Sequence, residues 1–143
     1  MINKSDFEKW ARNVVNSIEE VPHHLENNTF TTITNSMIHV LEMENVPNIS
    51  MILEKLKDYR YVSDVCDVFR GRHIRWIRTS NEVAKLTNGG IVTDIKFLDN
   101  GTHIQCKNAR NQFIQFKFDD CLLFQKLTAE ECLFLMMQSK IQG

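Results

Sequence analysis

The residues of this chain most able to do chemistry are crowded into Arg70-Gly71-Arg72-His73-Ile74-Arg75-Trp76-Ile77-Arg78, where five of nine are Arg or His. As a β-strand, this stretch puts Arg72, Ile74, Trp76 and Arg78 on one face and His73, Arg75 and Ile77 on the other. Ile74 and Trp76 then point inward, and Arg72 and Arg78 reach solvent from the ends. Such a stripe can track phosphates, with Trp76 or His73 stacking on a base; it can equally dock an acidic protein surface or be a plain solvated strand. Lys96, Lys107 and Lys117 extend the positive charge if strand register brings them to the outer side of the same sheet. The candidate partner- or nucleic-acid-binding residues are therefore Arg70, Arg72, His73, Arg75, Arg78, Lys96, Lys107 and Lys117.

Other reactive groups point away from catalysis. His23-His24 with Glu26 lies in a polar, Asn-rich connection with no fourth metal ligand near in sequence. Cys66, Cys106, Cys121 and Cys132 make no C-x-x-C pair and stand beside apolar residues, so they read as buried, reduced thiols rather than zinc ligands. Cys132 lies early in a helix, but Glu130 and Glu131 oppose a thiolate there. Asp119-Asp120 reads as a solvated turn. Gly89-Gly90 lacks the Lys-Ser/Thr of a phosphate loop and leads into a strand. The set Phe113, Phe116, Phe118 and Phe124 reads as core. No catalytic residue, metal or cofactor is expected.

The elements that must position these groups fall into two stretches. Ser5 and Glu8 form a capping box for a helix whose stripe is Phe7, Trp10, Ala11, Val14 and Ile18, ending at Pro22. Residues 23–32 read as a polar connection. A second helix is expected around Met37–Met43 and a third from Ile49 to Leu56, capped near Asn48 or Ser50. Tyr61–Phe69 has mixed signals and is read as a short helix.

From Gly71 the hydrophobic period shifts to two. HIRWIR, IVTDIKFL, THIQCKN, QFIQFKF and CLLFQKL alternate and are separated by Asp99-Asn100-Gly101, Asn108–Asn111 and Asp119-Asp120. In the second strand, Ile91, Thr93, Ile95 and Phe97 take one side; Val92, Asp94 and Lys96 take the other. Five short strands joined by tight turns suggest an SH3-like barrel, with bends at Gly89-Gly90. Thr128 and Glu131 start a closing helix. The expected fold class is α+β: a helical region over 1–68, then a small antiparallel barrel with a C-terminal helix over 69–143.

Composition sets the remaining bounds. Hydrophobic residues make up 43% and charged residues 24%, with a net charge of −1, so no global field draws the chain to nucleic acid or an anionic membrane. Residues 1–68 hold 6 Lys/Arg against 11 Asp/Glu, while residues 69–143 hold 11 against 7. These opposed halves could attract each other within or between copies. No apolar run approaches the ~20 residues of a membrane span, and a soluble protein of a reducing, intracellular compartment is expected.

The motifs Gly71, Ile74-Arg75-Trp76, Gly89-Gly90, Lys107-Asn108 and Phe124-x-Lys126 resemble those of small β-barrel proteins of nucleocytoplasmic giant DNA viruses, over residues 71–127. The resemblance implies a non-catalytic virion or assembly protein, in the host cytoplasm or the virion. The reading from sequence is thus an interaction module with a protein partner or self-association and no small-molecule substrate or membrane contact. The alternative is a nucleic-acid-binding barrel built on strand 70–78.

Overall fold

In a computed structural model of the 143-residue chain, the described residues are 23–80 and 83–142. The expected first helix, with its Ser5–Glu8 box, lies outside them. By compactness the chain divides into a unit over Ser36–Lys126 and a second unit made of the residues up to Asn35 with those from Leu127 onward. The elements are α1 (Phe30–Met43), α2 (Ile49–Lys55), β1 (Tyr59–Val62), β2 (His73–Arg78), β3 (Gly90–Leu98), β4 (Gly101–Lys107), β5 (Phe113–Lys117), β6 (Cys121–Lys126) and α3 (Ala129–Gln142). The fold is α+β, with helices before a six-stranded antiparallel sheet and one helix after it.

Helix starts follow their caps. α1 begins earlier than its apolar pattern suggests because Thr29 and Thr32 cap reciprocally: Thr29 N donates to Thr32 Oγ1 (2.8 Å) and Thr32 N to Thr29 Oγ1 (3.3 Å). Asn48 is the N-cap of α2, in the left-handed region at φ 59°, with no side-chain cap bond. In the second unit, Thr128 and Glu131 form the expected capping box at α3. There the buried Glu131 also meets His24 at 2.7 Å, and Gln138 Nε2 donates to Leu25 O (2.6 Å) beside the buried Leu25 and Leu135.

The sheet runs β1-β6-β2-β3-β4-β5. It is not closed into the expected barrel: among the described residues no ladder joins β5 to β1. It does curl. β2 and β5 stand three strand positions apart, about 14 Å in a flat sheet, yet Trp76 and Phe116 stack with centroids 4.2 Å apart and planes 24° apart. The bend has two causes. β2 and β3 share only the pairs His73↔Ile91 and Ile74↔Gly90. Beside that joint Gly89 has φ +80°, and a Cβ there would collide with Ile74 O. A β-bulge between Val92 and Asp94 in β3 adds curvature.

The concave face encloses a core of Val62, Val68, Ile74, Trp76, Val92, Ile104, Cys106, Phe116 and Leu123. On the convex face of β1-β6-β2, Ile77, Leu122 and Phe124 are buried as well. The segment from α1 to α2 reaches this face: Arg75 Nη1 contacts Lys55 O (3.5 Å), and Glu44, Val46 and Pro47 line a shallow hollow with Ile77.

The stretch 61–69 is not the helix expected. Tyr59–Val62 pairs with β6, and a 3-10 turn, Val65–Asp67, follows. β-branched Val62 and aromatic Tyr59 and Tyr61 suit a strand once β6 is there to pair with. At the β3–β4 tip it is Gly101, not Asn100, that carries the positive φ (126°). The bulge also corrects the pattern read for β3. Val92 turns inward (2% exposed) with Ile95 packed beside the core, while Ile91 is 41% exposed.

Candidate binding face

The nine-residue basic run does not make one surface. Arg75 is spent on structure: its Nε donates to Thr87 O (2.8 Å) on top of the contact with Lys55 O. Arg72 lies over the Phe69 ring (5.3 Å) and near Lys126 O (3.5 Å). His73 Nδ1 hydrogen-bonds the Tyr59 hydroxyl at 2.8 Å, and its pKa is lowered by burial first and then by Lys126 and Arg75. Arg78 is exposed at the far end of β2, opposite Cys121. Arg70 alone turns toward the other half of the sheet, where it binds Asp94 at 2.7 Å.

That other half carries the remaining candidates together. Pairs Lys96↔His103 and His103↔Lys117 line up one row across β3, β4 and β5. Asp94↔Gln105 and Gln105↔Gln115 make the next row, and Ile91↔Lys107 and Lys107↔Phe113 a further one. All three rows have the parity opposite to the buried Ile104, Cys106 and Phe116, so they lie on the convex face. Lys96 and Lys117 are two strand spacings apart, about 10 Å, and Lys107 lies four residues along β4 from the Lys96–Lys117 row, about 13 Å.

Lys96 Nζ donates to Gln115 Oε1 (3.3 Å), and Lys107 Nζ sits 5.5 Å from the Phe113 ring centroid. Lys117 lies across Gly101, where a Cβ would meet its Cε at 2.7 Å. Among the described residues, Asp94 is the one carboxylate that alternates onto this face, and Arg70 holds its pKa below the ordinary range.

Several side chains here escaped the sequence reading. Phe113 was grouped with the core aromatics but is 63% exposed; Phe116 and Phe124 are buried and Phe118 partly so. His103, Gln105, Gln115 and Ile91 join the face. The signal for Phe113 was present, since it shares parity with Gln115 and Lys117 and not with Phe116. Cys66 is exposed rather than buried; Cys106 is buried, and burial pushes its thiol, like that of Cys121, up to about 11. Among the described residues no three His, Cys, Asp or Glu side chains gather as a metal ion would require, and no helix is long and apolar enough to cross a membrane.

No protein-family model, curated protein or solved structure matches this chain.

Proposed function

We propose that the protein is a non-catalytic binding module and that the open convex face of β3-β4-β5 takes single-stranded nucleic acid. The observation that carries this reading is the register that brings Lys96, Lys107 and Lys117 onto one solvent-facing sheet, with Arg70 neutralising its carboxylate. Lysines on such a face pair with successive phosphates and release counterions. Exposed Phe113, with Ile91 in its row, offers a surface on which a base can stack, and Gln105 and Gln115 supply donors and acceptors between them. The site is thus Lys96, Lys107, Lys117, Arg70 and Phe113, rather than the Arg72–Arg75–Arg78 series. The likeness of residues 71–127 to small barrel proteins of giant DNA viruses adds a setting to this reading, a virion or assembly component.

Fluorescence anisotropy with labelled single-stranded oligonucleotides across a salt series tests it. Three phosphates neutralised give a slope of log K against log salt of about −2. Lys96→Ala with Lys117→Ala reduces that slope to about −0.7, and Phe113→Ala lowers affinity at every salt concentration. Absence of binding at low salt, or binding indifferent to these substitutions, overturns the reading and leaves an acidic protein as the partner to seek.

A further inference from the structure

The two edges of the sheet are finished differently. Beside β1, the 3-10 turn Val65–Asp67 is tied in: Asp67 O accepts from Arg60 Nη2 (3.2 Å) and from Gln125 Nε2 (3.0 Å), and Arg60 is buried. Among the described residues β5 has no such guard. Phe113 and Gln115 are exposed, and the strand contains no proline or bulge. Natural sheets rarely leave a regular edge open without cover or charge, and Lys117 at one end is the single charge on β5.

The backbone shows what the edge offers. The loop Ala109–Asn111 closes by Asn111 N to Asn108 O and Asn108 N to Gln112 O, both 3.0 Å, with Asn111 at φ 61°. That makes Asn108–Gln112 a hydrogen-bonded pair, and such pairs alternate along an antiparallel ladder. Ile114 and Phe116 therefore direct their N–H and C=O groups to β4. Phe113 and Gln115 direct theirs to the free edge, as does the Lys117 N–H, while the Lys117 C=O accepts the first bond of the 3-10 turn Phe118–Asp120.

From this we infer that a second copy of the chain pairs with β5, antiparallel about a two-fold axis at Gln115. In that register Phe113 meets Lys117 of the other copy, and Gln115 meets Gln115. The outward groups of the two Gln115 residues pair with each other, Lys117 N–H donates to Phe113 O, and Phe113 N–H shares the Lys117 carbonyl with the 3-10 turn. A slip of one residue would set outward groups against groups already used by β4, and a slip of two would leave some unpaired. The same register places Ile114 opposite Phe116 on the concave side. It also brings exposed Arg110 of each copy toward exposed Asp119 and Asp120 of the other, so charge is complementary at both ends. An isologous contact of this kind closes at two. The inference rests on the backbone register and does not depend on nucleic-acid binding, but the dimer would join two basic faces across one continuous sheet.

Sedimentation equilibrium of the full chain without nucleic acid tests the proposal, using Gln115→Lys and Gln115→Glu variants whose folding is checked by near-ultraviolet circular dichroism. Wild type is expected to dimerise. Each variant alone places like charges across the axis and weakens the dimer. An equimolar mixture is expected to associate about tenfold more tightly than either variant alone. A wild type that stays monomeric at all concentrations overturns the proposal, as does a dimer that neither variant weakens or a mixture no tighter than its parts.

Discussion

One sheet, two halves: β1-β6-β2 is covered on its convex side, and among the described residues β3-β4-β5 is bare there. The strands alternate in the same way in both, yet their cations do different work. On the covered half, Arg75 holds the backbone at Thr87 and Lys55, and Arg60 holds Asp67. On the bare half, Lys96 and Lys107 touch only side chains of their own face, Gln115 and Phe113. Cationic sequence density therefore does not mark a binding surface. The proposed face is instead a row of cations on strands that no other described residue covers.

The sharpest way to break this comparison is to truncate one phenylalanine in each half. Phe124 is fully buried beside Tyr61, whereas Phe113 is 63% exposed. Phe124→Ala should cost about 3–5 kcal/mol, by lost transfer energy and a cavity, and Phe113→Ala about 0.5 kcal/mol or less. Urea unfolding of both variants checks this; equal losses would mean that the bare half is covered after all.

Two arginines give the next test. Arg75→Ala leaves the part-buried Thr87 carbonyl without its donor and should destabilise by about 1–3 kcal/mol. Arg70→Ala removes an exposed ion pair, of a kind that adds little to stability. Its expected readout is local: the Asp94 carboxyl, followed by NMR, titrates nearer its ordinary 3.8. A stability loss as large for Arg70 as for Arg75 would erase the distinction between tying and free cations.

Much of the strand series was legible in the sequence because period-two runs and Asn/Asp/Gly turns are local signals. Ile74 and Trp76 were read as inward-facing and are buried. What local pattern could not show was phase and closure. The bulge after Val92 splits the set that alternation put on one side, leaving Ile91 exposed and Ile95 beside the core, and no residue type announces it. β1 was missed because a four-residue strand at the edge exists only by pairing with β6, more than sixty residues later. The sheet stays open for a similar reason: closure depends on β1 reaching β5, a long-range pairing with no signature in either segment. The composition of the candidate face was half legible. Lys96, Lys107 and Lys117 were named, but their company with Gln115 and Phe113 follows from register, as does the loss of Arg72 and Arg75 to other partners.

His73 sits where the two halves meet, paired with Ile91 of β3 and bonded to Tyr59 of β1, and it yields the smallest effect. Its pKa in the folded chain lies below its ordinary 6.5, chiefly through burial and also through Lys126 and Arg75. Between the folded and unfolded values the unfolded chain binds more protons, so stability rises with pH across that window. Stability should therefore fall as pH drops through 6.5 toward the lower folded value. The Asp94 contribution, from a carboxyl held below 3.8, is lost only at more acid pH and leaves this window clean. His73→Gln should flatten the slope of the urea midpoint against pH between those limits. A variant that keeps the wild-type slope would place the titrating group elsewhere and remove the joint between covered and bare halves as a source of pH sensitivity.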